Sequence, residues 1–297
     1  MREAVSLAER VSVTDANVLI TGESGAGKDL LAAYVHSKSK RAAQPFVKID
    51  CATLPGELLE AELFGYERGA FTGAVEARAG RLEAAQHGTI VLDEIAHLST
   101  DAQAKLLRVI ERREFERLGG RKTIKLDARL LALTNVDLDA AVKAGRFRED
   151  LFYRLNVINI RVPPLRERKQ DLPALAQYFV KHYAAKHARR VDRVSPAALA
   201  LLKSYDYPGN ARELANLIER AVIVAAARSI EQDDLPAGLG AAVAAQRHRE
   251  QPPSLAQMEA SYIAEVLAAT RGNKTQCARI LGISRKNLYE KIARYEL

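Results

Sequence analysis

Cysteine is scarce in this sequence, since only Cys51 and Cys277 occur among 297 residues and they lie far apart. This scarcity excludes a disulfide framework, and neither cysteine has the spacing of a zinc site. Both are expected to be ordinary thiols in a reducing cytosol. The sequence also lacks any run of about 18 apolar residues, and residues 1–10 lack the apolar core of a signal peptide. These absences predict a cytoplasmic protein with no membrane partner.

The composition excludes a disordered or fibrous chain, because 48% of the residues are hydrophobic and 28% are charged. A chain of 297 residues suffices for about two domains of roughly 100–200 residues each. The formal net charge of +8 is unevenly placed, since the last 27 residues carry seven lysines and arginines against two glutamates. This basic end is compatible with nucleic-acid binding, and the alternative is a solvated basic helix end.

Short apolar runs alternate with helical patterns over roughly the first half of the chain, which predicts a parallel sheet covered by helices. The predicted strands lie at 18–21, 46–49, 90–92 and 130–133, with a helix at 101–110. After the Pro163-Pro164 pair the strands stop, and we predict helices at 171–185, 195–204 and 210–227. A Gly-, Ala- and Pro-containing stretch then predicts a linker before a last helical module.

A phosphate-binding loop is predicted directly after the first strand, where Gly-Glu-Ser-Gly-Ala-Gly-Lys-Asp fits the P-loop pattern. Glycines let backbone N–H groups surround the phosphates, the next helix adds its positive end, and the lysine reaches the terminal phosphates. The alternative is a plain glycine-rich turn. The predicted nucleotide-binding residues are Gly22, Glu23, Ser24, Gly25, Ala26, Gly27, Lys28 and Asp29. Because Asp29 replaces the usual Ser or Thr, we expect it to hold magnesium through a water.

Two acids, Asp93 and Glu94, end the apolar strand at 90–92. After a P-loop, this pattern predicts that Asp93 is a magnesium ligand and that Glu94 polarises the attacking water. The alternative is that both acids only cap the next helix. Asn135 ends the following strand and is predicted to sense the terminal phosphate or to orient the water, although an Asn there is usually a turn residue.

Arg148 and Arg154 lie six residues apart, with no lysine or arginine between them. Spacing alone leaves two interpretations open. The arginines stabilise transition-state charge on the phosphate of a neighbouring subunit. Alternatively, they form surface ion pairs with Glu149 and Asp150.

Residues 69–74 read Gly-Ala-Phe-Thr-Gly-Ala, which is an apolar tip between two glycines. An exposed Phe71 is costly unless it meets a partner, and the alternative is a turn with a buried Phe. Between the P-loop and the acidic pair, this hexapeptide resembles the GAFTGA signature of the AAA+ activators of sigma-54, the bacterial enhancer-binding proteins. The predicted sigma-54 contacts are Gly69, Ala70, Phe71, Thr72, Gly73 and Ala74.

The resemblance implies roles for further positions. Arg148 and Arg154 match the arginine pair that acts across subunits, and Arg212 matches the sensor arginine of the helical subdomain. Asp50 stands where the family usually has an Asn that couples the catalytic glutamate to the nucleotide state, and an ionised Asp cannot donate that hydrogen bond. Residues 114–127 resemble the second loop of the family, a hairpin before the sensor strand.

A helix-turn-helix is predicted near the C-terminus. Residues 272–281 form the first helix, 282–284 form a tight turn, and Ser284 caps a basic second helix that runs to Tyr295. The pattern resembles the Fis-type DNA-binding domain of the same family, and the alternative is a helical hairpin for dimerisation. Leu288 and Ile292 are expected to pack inward. The predicted DNA contacts are Ser284, Arg285, Lys286, Asn287, Tyr289 and Lys291.

The resemblance implies an α/β fold, namely an AAA+ P-loop NTPase with a parallel sheet flanked by helices, an all-helical lid and a helical helix-turn-helix domain. The predicted boundaries are 1–162 for the ATPase subdomain, 163–235 for the lid, 236–254 for the linker and 255–297 for the DNA-binding domain. Family members commonly begin with a regulatory domain, and the sequence predicts a fragment or an already released activator.

The implied function is that of a sigma-54-dependent activator that takes ATP and Mg²⁺. Its expected partners are upstream double-stranded DNA, further copies of itself in a hexameric ring, and the sigma-54 RNA polymerase holoenzyme, which it remodels to open promoters. One alternative is a DNA-binding repressor whose AAA+ domain does not work. Another is a remodelling ATPase of a different class, such as a chaperone or clamp loader.

Overall fold

The computed structural model describes residues 1–241 and 254–295. The chain divides into two compact units, Met1–Leu235 and Pro236–Leu297, and each is described by itself. Among the described residues, no helix is long and apolar enough to cross a bilayer.

The first unit begins with an α/β part built around one sheet. Its helices are α1 (Arg2–Ser12), α2 (Lys28–Ser37), α3 (Gly56–Phe64), α4 (Arg81–Ala84), α5 (Thr100–Arg112), α6 (Leu138–Lys143) and α7 (Glu149–Leu155). Its strands are β1 (Val18–Thr21), β2 (Phe46–Asp50), β3 (Gly65–Tyr66), β4 (Arg78–Ala79), β5 (Thr89–Asp93), β6 (Glu114–Glu116), β7 (Thr123–Lys125), β8 (Arg129–Thr134) and β9 (Ile158–Arg161).

The main sheet has the order β2-β5-β8-β1-β9, and all of its neighbouring strands are parallel. Successive side chains of a strand alternate between two apolar layers, so that Leu92 packs with Leu106 while Val91 packs with Leu31. Helices therefore cover both faces, which confirms the predicted fold class. Since parallel strands end at one edge, β1, β5 and β8 bring the P-loop, the acidic pair and Asn135 to the same side.

The four predicted strands all occur in this sheet, extended by up to one residue at each end. The fifth strand, β9, was not predicted as a separate strand. It is an edge strand in which only Ile160 is fully buried, whereas Asn159 and Arg161 are exposed. Such a strand has no continuous apolar run, because only part of it packs against the core.

The remainder of the first unit is the helical lid. Its elements are α8 (Leu172–Lys186), β10 (Arg193–Val194), α9 (Pro196–Ser204), α10 (Asn210–Val224) and β11 (Ser229–Ile230). The three predicted helices are present, and the hydroxyl of Ser195 caps α9 by accepting a hydrogen bond from the Ala198 amide. The lid also contains the short parallel pair β10–β11, which the sequence pattern does not predict.

Residues 254–295 of the second unit form three helices, α11 (Leu255–Ala269), α12 (Lys274–Leu281) and α13 (Arg285–Tyr295). A small core of Ile263, Val266, Cys277, Ala278 and Leu288 joins them, and Ile292 packs against it, as expected. Of the predicted linker, residues 237–241 are helical and 242–253 lie outside the described residues.

Candidate nucleotide site and its loops

The P-loop connects β1 to α2 and bends through left-handed glycines. Gly25 has a φ of +73°, and a Cβ at this position would overlap the carbonyl oxygen of Gly209 in the lid. Glycine is therefore required for both the turn and the close approach of the lid. Lys28 is buried, and its Nζ donates hydrogen bonds to the carbonyl oxygens of Gly22 at 2.9 Å and Glu23 at 3.3 Å. The ammonium is held inside the loop, where terminal phosphates are expected.

Four lid residues fasten the P-loop from the other side. Arg166 forms a bidentate ion pair with Glu23, with N–O distances of 2.9 and 2.6 Å. The hydrogen bond from Arg166, with a second from Asn210, lowers the pKa of Glu23 to about 2. Arg168 donates to the Ala26 carbonyl at 2.6 Å, and Arg212 donates to the Ser24 hydroxyl at 3.0 Å. A lid movement must therefore move or release the loop.

Asn210 is the centre of this contact, although the sequence does not single it out. It is fully buried with a left-handed φ of +54° at the start of α10. Its amide nitrogen donates to the Glu23 carboxylate and the Ser24 carbonyl, and its oxygen accepts from the Leu165 amide. Its neighbours Pro208 and Gly209 are the only sequence signal for such a tight turn.

A cavity of about 260 Å³ lies beside this loop. Its walls bring together the predicted nucleotide residues, the acidic pair and the lid. The lining residues are Ser24, Gly25, Gly27, Lys28, Asp29, Leu30, Asp93, Glu94, Phe179, Ala211, Arg212 and Ala215. The cationic groups and the helix N-terminus suit the phosphates of a nucleoside triphosphate, and the carboxylates suit its metal ion. Arg212, predicted from the resemblance alone, thus lies at the cavity with the P-loop.

The acidic pair follows β5 directly. Glu94 adopts a left-handed φ of +52°, and its carboxylate oxygens lie 3.8 Å from the Lys28 Nζ and 3.2 Å from the Asn135 amide nitrogen. Asn135 thus contacts Glu94 through its backbone, and it is one of the residues that line an adjoining cavity with Gly22. The strained backbone of Glu94 holds its carboxylate between the P-loop lysine and the end of β8.

Asp29 and Asp93 converge on Lys48, a β2 residue that belongs to no sequence motif. The Lys48 Nζ lies 2.5 Å from Asp29 Oδ1 and 2.7 Å from Asp93 Oδ2. Burial lowers the pKa of Lys48, but its hydrogen bonds to both carboxylates outweigh burial and raise the pKa overall. Two carboxylates that enclose one cation are a donor set that fits Mg²⁺, which often takes one or two carboxylates with substrate phosphates.

Asp50 ends β2 beside Asp93, but its carboxylate forms a hydrogen bond with the backbone two residues later. Its Oδ1 accepts a hydrogen bond from the Ala52 amide at 2.9 Å. Within the part of the chain that the structure describes, Asp50 has no hydrogen bond to Glu94. The Asn135 amide contacts Glu94 instead, as described above.

Of the predicted arginine pair, Arg148 directly precedes α7 and Arg154 lies in its last turn, and neither lines the cavity of its own chain. Arg148 pairs with Asp150 at 2.7 Å, which is one of the surface ion pairs that spacing left open. Arg154 pairs instead with Glu111 at 3.1 Å, and 61% of its side chain is exposed. Exposed ion pairs of this kind contribute little to stability, so either arginine can exchange its carboxylate for another anion at little cost.

The loop at 69–74 is a compact turn held by its own backbone. The Gly69 amide donates to the Ala74 carbonyl at 2.8 Å, and the Ala74 amide donates to the Phe71 carbonyl at 3.0 Å. Phe71 is 39% exposed and packs edge-on against Tyr66 at a ring distance of 5.0 Å. Phe71 is therefore neither fully free nor buried. Thr72 at the tip is exposed.

The hairpin β6–β7 supports this loop, and Arg117 joins the two. A Cβ at Gly119 of the hairpin would lie 2.9 Å from the Ala70 Cβ, so the two loops are in direct contact. Arg117 lies within 3.1 Å of Glu67 before the GAFTGA loop and 2.7 Å of Glu83 after it. The hydrogen bond from Arg117 lowers the pKa of Glu83. Sequence reasoning missed this triad, because an arginine and two distant glutamates form no local pattern.

In the second unit, the turn and caps match the predicted helix-turn-helix. Gly282 adopts a φ of +67° at the end of α12, and the Ser284 hydroxyl accepts from the Asn287 amide at 3.2 Å. Of the predicted DNA contacts on α13, Arg285, Lys286, Asn287 and Tyr289 are exposed. Lys291 differs, because it pairs with Glu259 of α11 at 2.5 Å and is only 21% exposed. This lysine joins two helices of the module.

Three family models match the chain. One, described as the sigma-54 interaction domain, matches residues 1–161, and one for an AAA+ ATPase lid domain matches residues 166–252. The third, described as bacterial regulatory protein, Fis family, matches residues 254–295. This chain belongs to the sigma-54 activator family. The resemblance inferred from the GAFTGA, P-loop and helix-turn-helix motifs is confirmed.

Several curated regulatory proteins are similar to this chain over most of its length. Regulatory protein AtoC of Escherichia coli is 46% identical over 96% of this chain and 64% of its own length. Transcriptional regulatory protein FlbD of Caulobacter vibrioides is 44% identical over 99% of this chain and 68% of its own length. The chain therefore spans about two thirds of the length of these relatives.

The fold is also similar to that of a solved protein, NtrX. NtrX from Brucella abortus in complex with ADP superposes on this chain with a TM-score of 0.76 at 34% identity. The match covers 100% of this chain and 68% of NtrX. The NtrX complex with ATP gives a TM-score of 0.73 at 35% identity. The chain therefore consists of an AAA+ α/β part, a helical lid and a C-terminal helix-turn-helix.

Proposed function

We propose that this protein hydrolyses ATP in a ring of its own copies, a hexamer, and uses the energy to remodel sigma-54 RNA polymerase holoenzyme so that the promoter opens. The observation that carries the proposal is the single cavity in which Lys28, Asp93, Glu94 and Arg212 converge. The GAFTGA loop and the helix-turn-helix supply the two further contacts, with sigma-54 and with upstream double-stranded DNA. Partners of this kind imply a cytoplasmic location.

The residues of the cavity divide the reaction between them. Lys28 and the P-loop amides bind the β- and γ-phosphates, and Arg212 places the lid against the same nucleotide. Asp93, with Asp29 beside it, would hold Mg²⁺, which neutralises phosphate charge when bound. Glu94 accepts a proton from the attacking water, and Asn135 orients Glu94 through its backbone amide. Arg148 and Arg154 of an adjacent copy stabilise charge that develops on the γ-phosphate.

The GAFTGA loop contacts the β6–β7 hairpin, which joins it to the rest of the α/β part. The hairpin that contacts Ala70 follows α5, and Arg117 of that hairpin binds glutamates on both sides of the loop. Nucleotide can move the loop only if its states bind differently to the two loop positions. We propose that Phe71 and Thr72 contact sigma-54 in one of these positions, which matches the partial exposure of Phe71.

The central claim is tested by Thr72→Ala. We expect this variant to keep ATP hydrolysis and DNA binding but to lose open-promoter formation, since Thr72 is exposed at the tip and lines no part of the nucleotide cavity. It should also lose the sigma-54 complex that a transition-state nucleotide analogue traps. The measurement is ATP turnover and in vitro transcription from a sigma-54 promoter on one preparation.

The matched control is Thr14→Ala, which removes another exposed threonine outside the loop. This variant should open promoters like the wild type. If Thr72→Ala loses hydrolysis together with promoter opening, the loop belongs to the catalytic assembly of the ring. If it loses neither, the protein does not act on sigma-54 through this loop, and the proposed function is wrong.

Arg285→Ala tests the DNA contact. Arg285 is exposed at the start of α13, and a groove contact of this kind is worth roughly 1–3 kcal/mol of specific binding. We expect weaker binding to the cognate site by that amount, with unchanged ATP turnover, measured by fluorescence anisotropy at a fixed salt concentration. Arg220→Ala, which removes an exposed lid arginine, is the control for lost charge. Equal affinities of Arg285→Ala and wild type would show that another face reads the DNA.

A further inference from the structure

Lys48 lies between the P-loop helix and the end of the acidic strand. It stands on β2, whereas Asp29 lies in the first turn of α2 and Asp93 ends β5, so three separate elements meet at its ammonium. The two N–O distances of 2.5 and 2.7 Å mean that one positive charge is shared by both carboxylates. Neither the P-loop pattern nor the acidic pair requires a lysine at this position.

We propose that Lys48 is an internal counter-ion of the magnesium site that competes with the divalent cation for Asp93 and Asp29. The inference rests on the proposed function, because it takes Asp93 to be the metal ligand. Its consequence is that the protein binds a divalent ion weakly by itself and strongly together with nucleotide, whose phosphates add ligands that Lys48 does not block.

Two carboxylates that converge on one point repel each other unless a cation lies between them, and the Lys48 ammonium supplies that cation within the fold. A divalent ion must therefore displace an existing ion pair before it gains either carboxylate. The displacement is feasible, because 37% of the lysine side chain is exposed and its four-carbon stem is flexible.

The test compares binding of Mn²⁺, as a spectroscopic substitute for Mg²⁺, to nucleotide-free wild type and Lys48→Met. Methionine keeps most of the stem and removes the charge. We expect Lys48→Met to bind Mn²⁺ at least about tenfold more tightly in electron paramagnetic resonance titrations, because a full charge in direct contact no longer competes. Lys40→Met, which removes an exposed lysine of the same subdomain, should bind Mn²⁺ like the wild type.

Thermal unfolding and metal-free binding of a fluorescent ADP analogue establish that Lys48→Met is folded and keeps its P-loop. An Mn²⁺ affinity of this folded variant equal to or below that of the wild type overturns the inference. A loss of metal-free ADP binding also overturns it, because Lys48 would then be a phosphate ligand.

Asp93→Asn separates failure of this inference from failure of the proposed metal site. If Asp93→Asn weakens Mn²⁺ binding but Lys48→Met leaves it unchanged, only the counter-ion role is wrong. If Asp93→Asn binds Mn²⁺ as well as the wild type does, Asp93 is not the ligand, and the assignment in the proposed function fails as well.

Discussion

Replacing Arg154 by alanine is expected to lower ATP turnover by roughly 10³–10⁵-fold, which is the usual worth of an arginine that stabilises phosphoryl-transfer charge from a neighbouring subunit. The geometry agrees with a role in trans. Arg154 lies in the last turn of α7, is mostly exposed, and does not line the cavity of its own chain. Its ion pair with Glu111 is a surface contact, so it presents little barrier to a phosphate partner.

The decisive measurement mixes Arg154→Ala with wild type at increasing ratios. If the arginine acts on a neighbouring copy, each variant subunit also disables the nucleotide site of the adjacent wild-type subunit. ATP turnover then falls faster than simple dilution predicts. Size-exclusion chromatography on the same mixtures shows whether rings still form. The control is Arg193→Ala, which removes an exposed lid arginine; mixing it with wild type should leave ATP turnover unchanged. Linear dilution by Arg154→Ala would show that the arginine serves its own chain or no chain.

Arg148 is expected to contribute less than Arg154 in the same assay. Its guanidinium forms two hydrogen bonds with Asp150, and these hydrogen bonds raise the pKa of the arginine and lower that of the aspartate. The bidentate pair sits at the start of α7, where Asp150 also accepts from the Leu151 amide. Part of the role of Arg148 is therefore local, at the beginning of the helix that carries Arg154.

The sequence predicted the sheet because its inner strands are continuous apolar runs. A run such as Ile90-Val91-Leu92 is buried on both faces, so its pattern depends on little besides its own residues. The strand β9 and the pair β10–β11 have no such run, and their pairing depends on where the rest of the chain folds. The P-loop and Ser284 were predictable for the same local reason, since a turn or a cap acts within a few residues.

The contacts around the site were less accessible from the sequence. Lys48 meets Asp29 and Asp93 only after three elements fold together, and the same holds for Arg117 with its two glutamates. Lys291 was predicted from its local pattern to contact DNA, but in the structure it forms an ion pair with Glu259 of α11. A local pattern gives the charge of a residue, but its partner is chosen by tertiary structure.

Asp50 stands where the family usually has Asn, and the consequence of this difference depends on its contacts in the fold. An ionised carboxylate cannot replace the amide donor that the family usually has at this position. In the structure it caps a turn instead, and the Asn135 amide donates to Glu94 at 3.2 Å. The structure thus gives Glu94 a backbone donor at the end of β8, and this contact does not involve the side chain at position 50.

Glu94→Gln is expected to bind ATP normally but to hydrolyse it roughly 10²–10⁴-fold more slowly, which is the typical contribution of a positioned general base. The change keeps the size and shape of the side chain, and a glutamine oxygen can still accept from the Asn135 amide. It removes the negative charge and the proton acceptor. ATP binding is retained because the phosphate contacts come from Lys28 and the P-loop, and loss of a charge 3.8 Å from Lys28 does not weaken them.

Turnover and the affinity for a fluorescent ATP analogue are measured on the same protein, with Glu3→Gln as the control for an exposed glutamate. The variant should also trap the ATP-bound ring, since hydrolysis no longer ends that state. In that condition the wild-type loop at 69–74 should hold sigma-54 longer, as judged by the lifetime of the complex. Near wild-type turnover would remove Glu94 from the mechanism, and weak ATP binding would mean that Glu94 supports the P-loop instead of activating water.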